Sequence, residues 1–288
     1  MALSPGEKSM TNSKMNKPIA VIKVGGDVLL DQAEREGLAN NISDLRAKGW
    51  QVVLLHGGGP QVNALQEKLG LTPNKVAGRR ITSDDDLVVV KQAIAGEVNV
   101  NLTAALIKAG LPAFGCHGAS ANLIQASKRP PILVSGEGDK PIDFGEVGDV
   151  SSINTELLKG LLSLDIIPVI ATLGVSAEGR IFNINADTTV VQIARELKAD
   201  LLLLTTAVGA VFEDLAEPES RIKQVNREQA KQLIDQGIIQ GGMIPKVEEA
   251  MTLLSEGVGS IAIVSGRNQG AFQAVADGTG EYGTRIVS

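Results

Sequence analysis

PIAVIKVGG (residues 18–26) and QVVLLHGGGP (residues 51–60) decide the fold. Each is a short apolar run, rich in β-branched residues, that ends in adjacent glycines. Each is followed by a segment with helical spacing, 31–49 after the first and 61–69 after the second. Short apolar runs bounded by Gly or Pro read as buried strands, and apolar residues recurring every three to four positions read as helix. The unit of strand, glycine turn and helix therefore occurs twice in succession. Further buried strands are predicted at 113–115, 166–171, 201–205 and 260–264, and helices at 84–109, 154–163, 187–198, 227–236 and 245–256. Continuous apolar strands alternating with helices predict an α/β fold, a three-layer sandwich with helices on both faces of a mainly parallel central sheet. Residues 127–150 (SKRPPILVSGEGDKPIDFGEVGDV) break the alternation with Pro, Gly and charge, and are expected to form a hairpin beside the sheet that covers a substrate.

The chain has 288 residues, 43% of them hydrophobic, enough for one large body with a substantial core. Its net charge of −6 repels phosphate backbones as a whole, and aromatics at 2% give no stacking platform, which excludes nucleic acid as a partner. Any anion must be captured locally. Cys116 is the single cysteine, so no intrachain disulfide framework exists, and a reducing cytoplasm is the expected location. No apolar run reaches transmembrane length, and residues 1–17 lack the apolar centre of a signal peptide. They are expected to be a disordered N-terminal extension ahead of a folded domain over 18–288, with a soft change of role near residue 180.

In open α/β sheets ligands collect beyond the carboxyl ends of the strands, where both glycine-rich loops fall. Glycine lets backbone N–H groups approach a phosphate without a Cβ in the way, and the helix N-terminus behind each loop adds partial positive charge. Lys23, just before Gly25 and Gly26, adds a full charge. The alternative is that Gly25–Gly26 and Gly57–Gly59 merely permit tight turns. Neither loop is a Walker A sequence, and G-x-G-x-x-G is absent.

Five motifs carry a family signal in order along the chain. They are Lys23-Val24-Gly25-Gly26, His56-Gly57-Gly58-Gly59-Pro60, Gly78-Arg79-Arg80-Ile81-Thr82, Asn183-Ile184-Asn185-Ala186-Asp187 and Gly242-Met243-Ile244-Pro245-Lys246. In sequence and spacing they resemble the acetylglutamate kinases of the amino acid kinase superfamily, from about residue 18 to the end. The resemblance implies the amino acid kinase fold, with an N-terminal lobe (18–180) for acyl-amino-acid binding and dimerisation and a C-terminal lobe (181–288) for the nucleotide. It also implies MgATP-dependent phosphorylation of the side-chain carboxylate of N-acetyl-L-glutamate, a step of arginine biosynthesis. Such a nucleophile is already ionised at neutral pH, its unperturbed pKa being about 4.3, so no general base is required. Positioning and charge neutralisation remain for the protein to supply.

By resemblance, Lys23 stabilises the transferring phosphoryl group, Lys246 binds the ATP phosphates on the leaving side, and Asp187 organises both lysines. Gly26 and Gly58 complete the catalytic set. Gly58, Gly59, Arg80 and Asn183 are expected to bind the acceptor, the planar Arg80 fork suiting a carboxylate. Lys23, Gly25, Gly26, Thr205, Thr206, Gly209 and Lys246 are expected at the nucleotide. No protein-held metal is expected, Mg2+ being carried by the ATP phosphates. Two readings compete for single residues, Asp187 as a helix N-cap and Lys246 as a plain surface lysine at a helix start. His56 is expected to orient its loop.

The chain departs from the family pattern at Arg79, where a neutral residue is usual, at Thr206, where Asp is usual, and at Cys116-His117-Gly118, read as a packed thiol beside a loop histidine. Related readings are a kinase for N-succinylglutamate or for a carrier-linked aminoadipate or glutamate, and a non-catalytic metabolite-sensing homologue. The resemblance further implies a homodimer.

Overall fold

Strand alternation on Ile19–Val24 sets the position of everything that follows. This computed structural model describes residues 17–26, 28–30, 32–134, 137–240 and 243–287; within 243–255 the side chains of Met243, Pro245, Lys246, Glu249 and Ser255 also lie outside the described set. The expected extension over 1–17 therefore falls outside the described residues except for Lys17, and so does Gly242.

The first two units are β1 (Ile19–Val24), α1 (Gln32–Ala47), β2 (Gln51–His56) and α2 (Gly59–Lys68). A small hairpin, β3 (Lys75–Val76) and β4 (Arg79–Arg80), leads into α3 (Asp84–Val90), a π-helical segment (Lys91–Val98) and α4 (Asn99–Lys108). Next come β5 (Ala113–His117), β6 (Ile124–Lys128), β7 (Val147–Ile153) and α5 (Thr155–Ser163). They are followed by β8 (Ile167–Ala171), β9 (Leu173–Val175), β10 (Ile181–Ile184), α6 (Ala186–Leu197) and β11 (Leu201–Thr205). The remainder is β12 (Val211–Phe212), β13 (Arg221–Ile222), β14 (Gln224–Val225), α7 (Arg227–Asp235), α8 (Met243–Ser255), β15 (Ile261–Val264), α9 (Ala271–Ala276) and β16 (Thr284–Ile286).

The central sheet has eight strands in the order β14-β16-β15-β11-β1-β2-β8-β5, and every neighbouring pair is parallel except β15 with β16. On one face Ala20, Ile22, Val52 and Leu54 pack against Leu38 and Ile42 of α1, Leu102 of α4 and Phe272 of α9. On the other, Val21, Val53 and Leu202 pack against Leu158 of α5, Val190 and Ile193 of α6 and Val247 of α8. These are the three layers the sequence predicts. Fully burying one Val or Ile contributes about 1.5–3 kcal/mol, so β1, buried at Ala20, Val21, Ile22 and Val24, is firmly anchored. Successive side chains alternate faces, which puts Lys23 on the Val21 side, toward α6.

A second, smaller sheet closes on itself in the order β10-β7-β6-β9. The 127–150 excursion is its hairpin: β6 and β7 pair antiparallel, and Ile132 bridges Ile142 in the loop between them. Thr82 ties that loop to the β3–β4 hairpin, its N–H donating to the Phe144 carbonyl at 2.9 Å and its carbonyl accepting from the Glu146 N–H at 2.7 Å. Among the described strands β10 pairs with β7 and β9, so the strand after the expected change of role is joined to the N-terminal half.

The segment predicted as one helix over 84–109 is continuous but widens to a π-helix in its middle, at Lys91–Val98. It delivers Asn99 to the underside of the sheet, where its Nδ2 lies 2.9 Å from His56 Nε2 and 2.9 Å from the Val169 carbonyl. His56 is fully buried, and its Nδ1–H donates to the Gly57 carbonyl at 2.8 Å, which leaves Nε2 as the acceptor from Asn99. The imidazole holds its loop, as the sequence suggests. Burial depresses its pKa from 6.5 to about 4, so the folded state keeps it neutral while the unfolded chain protonates below about 6.5. Stability from this group is complete above pH 6.5 and is lost as pH falls toward 4, on the order of 3 kcal/mol in all. Urea titrations from pH 7 to pH 4 on the wild type and His56→Gln should show a flatter pH dependence in the variant across that window; parallel curves would contradict the assignment.

Candidate active site

Val24 of β1 and His56 of β2 are register partners, so the two strands end at one level and their glycine turns emerge side by side. Gly26 is required by that closeness: a Cβ there would lie 2.8 Å from Pro60 Cδ. Gln61 Nε2 donates to the Gly26 carbonyl at 2.9 Å and ties the loops together. From below, the buried Thr205 hydroxyl donates to the Lys23 carbonyl at 2.9 Å and accepts from the Gly25 N–H at 3.3 Å. Thr205 thereby fixes the end of β1 through backbone contacts.

Lys23 extends from β1 toward the first turn of α6, and its Nζ lies 3.1 Å from Asp187 Oδ1. The N-cap of α6 is Asn185, whose Oδ1 accepts from the Thr188 N–H at 3.0 Å. The capping role considered for Asp187 therefore belongs to Asn185, and the Asp187 carboxylate serves the lysine. The pair is only 12% and 32% exposed, so each charge depends on the other more than at an open surface.

Lys23, Gly26, Gly58, Gly59, Arg80, Asn183 and Asp187, foreseen from widely separated motifs, line a single cavity of about 300 Å³. Asn183 Nδ2 donates to Thr82 Oγ1 at 3.1 Å, which holds β10 against the hairpin side of the cavity. Arg80 donates from Nη1 to Gln66 and from Nη2 to Asn63, both neutral amides on α2. The cavity also takes in Arg79, which the sequence marks as a departure from the family pattern, and Lys75, Arg129 and Phe144, which it does not mark. Arg129 is held by Asp149, whose Oδ1 accepts from its Nε at 2.9 Å and its Nη2 at 2.6 Å. The one available signal was that it lies in the excursion expected to cover a substrate. Among the described lining residues five are basic, Lys23, Lys75, Arg79, Arg80 and Arg129, and one is a carboxylate, Asp187; with Asp149 engaging Arg129, a chain of net charge −6 still carries a cationic cavity.

Thr205, Thr206, Gly209 and Gly25 do not line this cavity. Thr206 Oγ1 accepts from the Gly209 N–H at 2.9 Å and closes the turn after β11, a bond an Asp side chain would make in the same way. Gly209 has φ of +79°, and a Cβ on it would meet Ser265 Cβ at 2.6 Å. Val208, Ala210 and Phe212 line a further cavity of about 500 Å³ with Ile238 and Ile239, just before Gly241–Gly242. Lys246 lies in the first turns of α8, its side chain outside the described residues. Cys116 is buried on β5, and burial raises its thiol to about 12, which keeps it protonated and unreactive.

Among its described lining residues the cavity offers cations, glycine N–H groups, two asparagines and a threonine, and the one carboxylate, Asp187, is paired with Lys23. That set suits a reaction between two anions in which the nucleophile is already ionised, because nothing in it is placed to remove a proton.

Comparison with known proteins agrees with this architecture. The model of the amino acid kinase family matches residues 18–265. The chain is 41% identical to an acetylglutamate kinase of Anaeromyxobacter sp. (strain K), covering 93% of this chain and 98% of that protein. It is 40% identical to an acetylglutamate kinase of Sorangium cellulosum (strain So ce56), covering 96% of this chain and all of that protein. Among solved structures, the smu.665 protein of Streptococcus mutans UA159 superposes with a TM-score of 0.73 at 32% identity, over 93% of this chain and 98% of that one. The chain belongs to the amino acid kinase family, among its acetylglutamate kinases.

Proposed function

We propose that this protein transfers the γ-phosphoryl group of ATP to the side-chain carboxylate of N-acetyl-L-glutamate, giving N-acetyl-L-glutamyl 5-phosphate and ADP, a step of arginine biosynthesis. The observation that carries the reading is the Lys23–Asp187 pair, 3.1 Å apart, at the mouths of two abutting glycine loops. An acceptor oxygen forms the new bond to the γ-phosphorus, the bond to the β,γ-bridging oxygen breaks, and no proton moves. Lys23 and the N–H groups of Gly26 and Gly58 neutralise the transferring group, and Asp187 holds Lys23 in place. Arg80, Asn183, Gly58 and Gly59 bind the acceptor.

The nucleotide occupies the C-terminal lobe, 181–288, beside the turn closed by Thr206 and Gly209, with Lys246 at its phosphates. The acceptor and the dimer contact belong to the N-terminal lobe, 18–180. Mg2+ arrives on the ATP phosphates, where it offsets their charge; the one carboxylate among the described lining residues, Asp187, is paired with Lys23. A second acceptor, N-succinyl-L-glutamate, is favoured by Lys75 and Arg79 in the cavity wall, since a succinyl group brings its own carboxylate. ADP release measured with N-acetyl-L-glutamate, with N-succinyl-L-glutamate and without acceptor should show turnover with the acetyl compound. Lys23→Arg should lower kcat by about 10²–10³ through the misplaced charge. Absence of turnover on either acyl-glutamate would end the kinase reading.

We infer a cytoplasmic homodimer. No helix among the described residues is long and apolar enough to cross a membrane. β5 is an edge of the central sheet and presents Phe114, 47% exposed, while α4, which packs on the opposite face of β5, exposes Val100 and Ile107, at 61% and 57%. An unpaired edge beside exposed apolar side chains is a template for a second copy. Light scattering should give twice the chain mass of 30.1 kDa, and Phe114→Asp should shift it toward one chain; a monomeric wild type would contradict the inference.

A further inference from the structure

Arg80, part-buried on β4, reaches the cavity from a two-stranded hairpin, and three residues decide where its charge is spent. Asn63 and Gln66 stand three positions apart on α2, the helix that opens at Gly59, so they share a face and move with the glycine loop. Gln66 Oε1 accepts from Arg80 Nη1, while Gln66 Nε2 donates to Asp86 Oδ1. The other Asp86 oxygen accepts from the Ser83 N–H at 3.0 Å and the Ser83 hydroxyl at 2.8 Å, the capping box of α3. Gln66 is fully buried, so its amide has no water to fall back on. A neutral amide offers an acceptor to the guanidinium and a donor to the carboxylate from one planar group, while drawing charge from neither.

We propose that Gln66 is a positioning residue that separates Arg80 from Asp86, so that the Arg80 charge stays available to the acceptor carboxylate. The two charges feel each other already: Asp86 is the neighbour that opposes the depression of the Arg80 pKa caused by burial. Arg80 has five N–H donors, of which the Gln66 and Asn63 bonds use two, so among the described residues three remain for a ligand. Without the amide, Arg80 and Asp86 would pair directly, and an incoming carboxylate would have to displace a full negative charge instead of a dipole.

The inference rests on the acyl-glutamate reading, and its test separates the two. Steady-state kinetics with N-acetyl-L-glutamate and ATP should be measured on the wild type, Gln66→Leu, the double variant Gln66→Leu/Asp86→Asn, and Gln66→Glu. Gln66→Leu should raise KM for the acceptor about tenfold, leaving kcat and KM for ATP within about twofold. Removing the competing charge in the double variant should bring KM back to within about threefold of the wild type. Gln66→Glu, which keeps the shape, should raise the acceptor KM by pairing with Arg80, and it serves if Gln66→Leu fails to fold. An unchanged acceptor KM in both single variants, or a double variant no better than Gln66→Leu, would overturn the role. A wild type inactive on N-acetyl-L-glutamate would instead overturn the functional reading.

Discussion

The parallel pairing of β1 with β2, in the register that sets Val24 against His56, is the contact on which the site depends. Because both strands stop at one level, both glycine turns leave the sheet together, and Gly26 closes on Pro60 with no room for a side chain. The same register, with side chains alternating along the strand, sends Lys23 to the α6 side while Ala20 and Ile22 go to the opposite core. Thr205 and His56 then hold the two strand ends from beneath, one through the Lys23 carbonyl and the Gly25 N–H, the other through Gly57 and Asn99. Shifting the register by one residue would turn Lys23 into the α1 core and dissolve the cavity.

Electrostatics follow from this geometry. The molecule is acidic as a whole, yet among the described residues its cavity lining has five basic side chains, one of them held by Asp149, and one carboxylate. Such a site attracts anions through a local field with the surface still repelling polyanions, which separates a small doubly charged acceptor from a nucleic acid. Asp187 keeps Lys23 in place without neutralising the cavity, and the neutral partners of Arg80 on α2 leave its charge intact in the same way.

Much of this was legible in the residues. Runs such as VIKV, VVLL and LLLL are apolar throughout because both faces of the sheet are covered, and they declare buried parallel strands. Lys23, Gly58, Arg80, Asn183 and Asp187 were identifiable from motifs before the fold brought them together. The small closed sheet was not, since VGDVSSI and IQASK mix polar and apolar residues and carry no continuous run. Hairpin strands of two residues, such as 75–76 and 79–80, fall below any periodicity. Arg129 was hidden because its place in the cavity depends on a loop held by Thr82 across a long stretch of sequence. At Thr206, where Asp is usual, the hydroxyl supplies no charge but makes the turn-closing bond open to an aspartate, so the departure preserves the backbone.

The central claim is that Lys23, organised by Asp187, gathers the acceptor and the transferring phosphoryl group at one point. Thermal unfolding with ADP, Mg2+ and aluminium fluoride, a mimic of the phosphoryl group in flight, tests it most directly when run with and without N-acetyl-L-glutamate. In the wild type the combined additions should raise Tm by more than the sum of the separate shifts, and Asp187→Asn should abolish that excess. A merely additive wild-type shift, or an excess that survives in Asp187→Asn, would contradict the account.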